Sequence, residues 1–161
     1  MPMPLSPKLV RDKVILPTLN ALALDEHTLV QAMELLLGTA ATESHLGQYL
    51  RQIGGGPALG LWQVEGETEG DVWKNYLLYR PELATVVRGW KTFTAEEMEW
   101  NHAYSCAIAR LIYRRAPAPL PKAGDLRGQA AYWKQHFNTP LGKGTPEKYI
   151  QDWNELVVGK L

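Results

Sequence analysis

The chain has 161 residues, of which 45% are hydrophobic, and its 17 basic and 17 acidic side chains cancel. This length suits one compact domain, spanning residues 1–161, that buries about two-thirds of its unfolded surface. A balanced charge provides no strong field to recruit nucleic acid or a membrane surface. We therefore expect no nucleic-acid partner.

The sequence also lacks the patterns of export, membrane insertion and metal binding. The N-terminus, MPMPLSPKLVRDK, has no apolar core followed by a cleavage site, so no signal peptide is expected. No stretch approaches the roughly 18 apolar residues of a membrane helix. The only cysteine, Cys106, lies in a helical run where a buried, reduced thiol is expected. No cofactor or metal is predicted, and synthesis in the bacterial cytoplasm is expected.

Helix caps and breakers divide the first third of the chain. Ser6 precedes a proline and can cap a first helix, which Pro17 kinks or divides. Asp25 or Thr28 then caps a long helix that ends near Gln52. These signals predict two helices before the first glycine-rich segment.

Three glycines and a proline, at 54–57, cannot continue a helix and are expected to form a turn. A phosphate-binding loop is the functional alternative. No Gly-Lys-Ser/Thr follows this run, and Gly142-Lys143-Gly144-Thr145 has Phe137 where such a loop requires its first glycine. The glycines therefore predict a turn and not a nucleotide site.

Further caps predict helices in the second half of the chain. Thr68 with Asp71 and Thr94 with Glu97 match the capping-box pattern. The expected helices cover about 68–79, 81–90, 94–115, 125–137 and 145 onwards, with Asp125 and Thr145 capping the last two. A stiff proline-rich connection is expected at 116–121 and a loop at 138–144. Since no segment alternates like a long strand, we predict a mainly α domain of about six to eight helices with little or no sheet.

Glu43 is the candidate catalytic residue because of its place on the long helix. It follows Leu36 by seven residues and Ala40 by three, so at about 3.6 residues per turn it points with the apolar side. A carboxyl group there loses hydration, which raises its pKa toward the range of a general acid. The alternative is a partly exposed carboxylate with a structural role.

The residues around Glu43 resemble the signature of the soluble lytic transglycosylases and goose-type lysozymes. In those families a Glu-Ser pair on a helix precedes a Gly-Leu-Met-Gln segment and a later Thr. Here Glu43-Ser44, Gly60-Leu61-Trp62-Gln63 and Thr68 follow that order, with Trp62 in place of Met.

Two further stretches carry weaker resemblances. Ala130-Ala131-Tyr132 resembles a later motif of the lytic transglycosylases, in which the tyrosine helps to position the glutamate and the sugar. Trp133 follows where that family has Asn, and a tyrosine in the core is the alternative. The stretches GGGPALGLWQVE and YWKQHFNTPLGKGT are similar to small proteins encoded in bacteriophage genomes.

The resemblance implies a lysozyme-like domain that cleaves the β-1,4 linkage between N-acetylmuramic acid and N-acetylglucosamine in peptidoglycan. The enzyme would be a lytic transglycosylase or a muramidase, with Glu43 as general acid and base. The implied substrate-binding residues are Ser44, Gly60, Trp62, Gln63 and Tyr132. Peptidoglycan strands are the expected partner, with other phage virion or tail proteins. Delivery would occur in a virion or through lysis machinery to the periplasm.

A hydrolase of this kind normally needs a second carboxylate. Glu65 is the best candidate because it directly follows the Gln63 segment, with Glu67 and Asp71 as alternatives. If none is in range, Glu43 could act first as acid and then as base while the 6-hydroxyl of the sugar closes an anhydro ring.

Other side chains have competing interpretations. The Gln63 amide could bind a sugar N-acetyl group or Glu43, or it could tie the glycine-rich loop to the helix. Trp62 is expected at the cleft, and the histidines are expected to face solvent. Four tryptophans on helical stripes are expected in the core: Trp73, Trp90, Trp100 and Trp153.

Two rival functions remain open at this point. One is a chitinase-like glycosidase. The other is a catalytically inactive phage virion structural or wall-binding protein with the same fold.

Overall fold

The computed structural model describes residues 2–138 and 142–161, and this part of the chain is mainly α. Its seven helices are α1 (Pro7–Leu9 and Leu16–Leu22, joined by π-helical Val10–Ile15), α2 (Leu29–Ser44), α3 (Gly66–Asn75), α4 (Pro81–Arg88), α5 (His102–Arg114), α6 (Leu126–Trp133, continued by π-helical Lys134–Asn138) and α7 (Pro146–Leu156). Two isolated β-bridges, Arg51 with Leu59 and Leu59 with Val64, are the extended pairings of the described residues. The predicted fold class is confirmed, and residues 139–141 of the predicted loop lie outside the described residues.

Several helices begin at the predicted caps. The side chains of Ser6, Asp125 and Thr145 each accept a hydrogen bond from the backbone N–H three residues later. Asp25 caps a short 3-10 turn, Glu26–Thr28, that leads into α2. These starts were predictable because a cap depends on a few neighbouring residues.

Pro17 is accommodated inside α1 without ending it. Proline lacks the N–H of a helical hydrogen bond, and its ring crowds the carbonyl four residues earlier. The turn before it is π-helical, with the Leu16 N–H bonded to the Arg11 carbonyl. This wider turn relieves the crowding, so the helix continues to Leu22.

Both predicted capping boxes are wrong. Helix α3 begins at Gly66, so Thr68 lies inside its first turn. Glu97 is buried and accepts hydrogen bonds from the Thr92 N–H at 2.9 Å and from the Asn101 side chain at 3.0 Å. It therefore holds a turn, and α5 begins only after Asn101.

Several predictions about side-chain exposure also differ from the structure. Trp100, expected in the core, is 51% exposed. Of the histidines expected to face solvent, His27 does so, whereas His45 and His102 are half-buried. His136 is also half-buried, because its ring packs 4.4 Å from that of Tyr132.

Helix α2 is the central helix of the core. Its residues 35–42 are all buried, and α5 and α7 both pack against it. Gly38 is the point of closest approach, because a Cβ atom there would overlap the Tyr149 side chain of α7. The Tyr149 hydroxyl donates to the Leu35 carbonyl at 3.3 Å. A small residue in α2 thus allows α7 to cross it closely.

Helix α2 also ends earlier than predicted. Its last residue is Ser44, and His45 adopts a left-handed conformation with φ 50°. The chain then runs irregularly to Gly66, where α3 begins.

No helix in the described ranges has the length and apolar character to cross a membrane.

We expect Gly38→Ala to lower the free energy of unfolding by about 1–3 kcal/mol, since the added methyl group overpacks the contact with Tyr149. The matched control is Gly70→Ala in α3, where a Cβ meets open space and helix propensity favours alanine by up to about 1 kcal/mol. Urea denaturation of both variants measures the difference. Equal effects of the two substitutions would contradict the close packing of α2 on α7.

Candidate active site

Glu43 lines an open groove of about 630 Å³. One wall is formed by the irregular segment after α2 and the other by the end of α6 and the start of α7. The lining residues beside Glu43 are Tyr49, Gln52, Ile53, Ala58, Gln63 and Glu65 on the first wall, and Phe137, Asn138, Gly142, Lys143 and Lys148 on the second. This volume is sufficient for a small-molecule or sugar ligand.

The Glu43 carboxylate is held by Trp133 at the end of α6. The indole Nε1 donates a hydrogen bond to Glu43 Oε2 at 3.0 Å. Trp133 is buried, and its ring packs 5.6 Å from that of Tyr149. The donor is therefore fixed in position, and it orients the carboxyl group of α2.

Lys148 is the positive charge that acts on Glu43, but its ammonium group forms hydrogen bonds with other residues. Its Nζ donates to the Thr42 carbonyl at 2.9 Å and pairs with Asp152 Oδ2 at 2.6 Å. Asp152 is buried, and its other oxygen lies 3.7 Å from His45 Nε2. Lys148 thus pairs with Asp152, and Glu43 has no ion-pair partner among the described residues.

This environment favours the neutral form of Glu43. Loss of hydration on burial raises the pKa of its carboxyl group from 4.5 to about 7, while the Trp133 hydrogen bond and the Lys148 charge act in the opposite direction. A carboxyl group with this pKa holds its proton near neutral pH and can still release it. Glu43 thus has the acidity that a general acid requires.

Gln63 connects the backbone segments of the first wall through side-chain hydrogen bonds. Its side-chain nitrogen donates to the carbonyls of Tyr49, Leu50 and Gly60 at 3.0–3.1 Å. These bonds also hold the residue in a left-handed conformation with φ 48°. The structure therefore supports the loop-tying alternative, with the loop itself as the partner and not the helix. Gln63 also lines the groove, so its predicted contact with a sugar stays a prediction.

Ser44 is buried and does not line the groove, which contradicts its predicted contact with substrate. Its hydroxyl donates to the Leu61 carbonyl at 2.7 Å and accepts from the Gly47 N–H at 2.9 Å. These bonds connect the end of α2 to the first wall. Ser44 thus positions the wall.

Gly60 is also buried, so its predicted role in substrate binding is wrong. It has φ 87°, and a Cβ atom on it would overlap the Met98 carbonyl. Glycine is required there for both reasons.

Trp62 and Tyr132 lie away from the groove, which corrects both predictions. Trp62 is 0% exposed, and its indole N–H donates to the Leu36 carbonyl at 2.9 Å, so it belongs to the core. Tyr132 is nearly buried, and its hydroxyl donates to the Ala118 carbonyl at 2.8 Å. Its ring lines a second cavity, beside the proline-rich connection.

The structure distinguishes the three candidates for a second carboxylate by their position relative to the groove. Glu65 lines the groove and is exposed. Glu67 is exposed outside it, and Asp71 pairs with Arg115 at 2.6 Å beside a different surface depression. Glu65 is therefore the candidate that remains among these three.

Sequence reasoning missed Trp133 and Lys148 as neighbours of Glu43, and Asp152 as the partner of Lys148. One signal for Trp133 was present, because it follows Tyr132 at the position where the resembled motif has Asn. Lys148 lies 106 residues from its backbone partner Thr42, and no local pattern predicts such a contact. The described residues hold no cluster of three or more His, Cys, Asp or Glu suited to a metal.

Glu43→Gln is expected to stabilise the protein in a pH-dependent way. Because the folded pKa of about 7 exceeds the unfolded value of 4.5, the native state loses stability as pH rises through this interval. One pKa unit corresponds to about 1.4 kcal/mol, so the variant should gain up to about 3 kcal/mol at about pH 8 and little at about pH 4. Denaturation at the two pH values measures this, with Glu67→Gln as the exposed control. A gain that does not depend on pH would contradict the buried carboxyl group.

Comparison of the chain with protein-family models, with curated proteins and with solved structures gave no match.

Proposed function

We propose that this protein is a glycosidase that cleaves the β-1,4 linkage between N-acetylmuramic acid and N-acetylglucosamine in peptidoglycan. The observation that carries the proposal is Glu43, a carboxyl group in an open groove with a pKa of about 7. Among the residues that the structure describes, no side chain fills the groove, which favours turnover over a purely structural role. The resemblance around Glu43 and Gln63 supplies the substrate class.

In the proposed reaction, Glu43 donates its proton to the glycosidic oxygen as the bond from that oxygen to the sugar carbon breaks. The new Glu43 carboxylate is stabilised by the Trp133 N–H and by the nearby Lys148 charge. It can then accept a proton from the 6-hydroxyl, which closes an anhydro ring. Alternatively, a water molecule completes hydrolysis, with Glu65 as the candidate second carboxylate.

Delivery and partners follow from the same proposal. A wall-cleaving enzyme made in a bacterial cytoplasm must reach peptidoglycan by some route. Incorporation in a phage virion, in contact with virion or tail proteins, or passage through lysis machinery would provide it.

Glu43→Gln should lower cleavage of purified peptidoglycan by about 100- to 10,000-fold, because glutamine cannot donate a proton. Mass spectrometry of the soluble products measures this. Anhydro-muramyl ends from the wild type would identify a lytic transglycosylase, and reducing muramyl ends a muramidase.

Two controls make this test specific. Glu65→Gln should also inactivate a muramidase that uses Glu65, but not a transglycosylase that uses Glu43 alone. Glu67→Gln, outside the groove, should leave the rate unchanged. Undiminished cleavage by Glu43→Gln would refute the assignment. Products from chitin oligomers alone would change the substrate. If the wild type releases products from neither peptidoglycan nor chitin oligomers, a binding or structural protein is favoured.

Trp133→Phe should move the pH dependence of cleavage. The general acid must be protonated, so kcat/KM should fall as pH rises through about 7. Removing the indole N–H removes a bond that favours the carboxylate, which raises the Glu43 pKa and moves the falling limb to higher pH. The matched control is Trp100→Phe, at an exposed position, which should leave the limb in place. An unmoved limb in Trp133→Phe would show that Trp133 does not act through Glu43.

A further inference from the structure

A second cavity, of about 280 Å³, lies between α5 and the proline-rich connection that follows it. Its lining combines two arginines of α5 with apolar and aromatic surface. The lining residues that matter here are Arg110, Arg114, Tyr113, Tyr132, Pro117 and Leu120. None of the described residues that line this cavity also lines the groove at Glu43.

Arg110 is the unusual residue of this cavity. It is 4% exposed, and no hydrogen bond or ion pair joins its guanidinium to the residues that the structure describes, although its nitrogen atoms are not sealed from solvent. Arginine cannot release its proton at physiological pH, so burial leaves a charge that needs compensation. A buried charge without a partner is costly, and buried arginines are normally paired.

The surrounding charges do not supply that partner. Arg114 lies one turn later on α5 and lines the same cavity, and like charges at this spacing repel. Asp25 is also at the cavity, but its Oδ1 accepts from the His27 N–H at 3.0 Å and it forms no ion pair with Arg110 in the described ranges. The cavity therefore presents two guanidiniums and one carboxylate already engaged by a backbone amide.

The opposite wall is held in place by hydrogen bonds. Gln31 Nε2 donates to the Pro121 carbonyl at 2.9 Å and to the Leu120 carbonyl at 3.3 Å. The Tyr132 hydroxyl donates to the Ala118 carbonyl. Proline restricts the backbone of this connection as well. The cavity is thus preformed, which lowers the entropic cost of binding a ligand.

We propose that this cavity binds a small organic anion, whose carboxylate or phosphate group pairs with Arg110 and Arg114. Guanidinium groups match the geometry of both oxyanions through paired N–H donors. The apolar part of the ligand packs between the Tyr132 ring and the proline-rich connection. This site is independent of the function proposed for the groove at Glu43.

The test is an NMR titration of the intact protein with phenyl phosphate, benzoate and the neutral benzyl alcohol. We expect saturable shifts of the Arg110 side-chain resonance and of the backbone amides of Tyr113, Ala118 and Leu120 with at least one anion. Phenyl phosphate alone would identify a phosphate ligand, and benzoate alone a carboxylate. Arg110→Met should weaken binding by about 10- to 100-fold, since a charge-assisted hydrogen bond is lost.

Two exposed arginines provide further variants. Arg114→Gln should weaken binding severalfold, and Arg127→Gln, on α6 outside the cavity, should not change it. If Arg110→Met does not fold, the wild type and Arg114→Gln decide the result. The proposal is overturned by no saturable shift with either anion, by equal binding of benzyl alcohol, or by unchanged affinity in Arg114→Gln.

Discussion

Burial of the Glu43 carboxyl group without an ion-pair partner among the residues that the structure describes is the constraint on which the groove depends. Within this part of the chain the group gains one hydrogen bond, from the Trp133 indole, and the field of Lys148 from a distance. These contributions come from α6 and α7, whereas Glu43 belongs to α2. The acidity of one side chain therefore requires three helices to pack in a single arrangement. If Asp152 did not hold Lys148, that lysine could approach Glu43 and favour its charged form.

The small and polar residues of α2 serve this packing. Gly38 leaves room for the Tyr149 ring, which brings α7 against α2. The Thr39 hydroxyl is 2.7 Å from the Tyr113 hydroxyl of α5 and donates to the Leu35 carbonyl. Buried polar groups in a helix interior are tolerated when they are satisfied in this way. The small residues of α2 could have allowed a ligand to approach this helix. In the structure they allow α5 and α7 to pack against it.

Two ionisable groups, Glu43 and Arg110, are largely removed from water without an ion pair in the described residues. Their chemistry differs in one respect. A carboxyl group can take up a proton when burial disfavours its charge, and this yields the acidity suited to catalysis. A guanidinium has no such route, so it must be compensated by water or by a bound anion. The same physical cost thus underlies both proposals, a general acid in the groove and an anion site in the second cavity.

The sequence by itself determined the mainly α fold, the caps at Ser6, Asp125 and Thr145, and the inward direction of Glu43. Each of these depends on residues within one or two turns of one another. The capping box at Thr94 failed because the Glu97 carboxylate accepts hydrogen bonds from Thr92 and Asn101, and the one at Thr68 failed because α3 begins two residues earlier, at Gly66.

Only the tertiary structure decided which residues share the groove. Trp62 and Tyr132 match the resembled motifs by position, but a motif carries no information about which face its side chains present once helices pack. The contacts of Trp133 and Lys148 with α2 cross 90 residues or more of chain. Such contacts form when whole helices dock against one another. The sizes of the Gly38 and Tyr149 side chains determine how closely α2 and α7 approach, and no local sequence pattern encodes that distance.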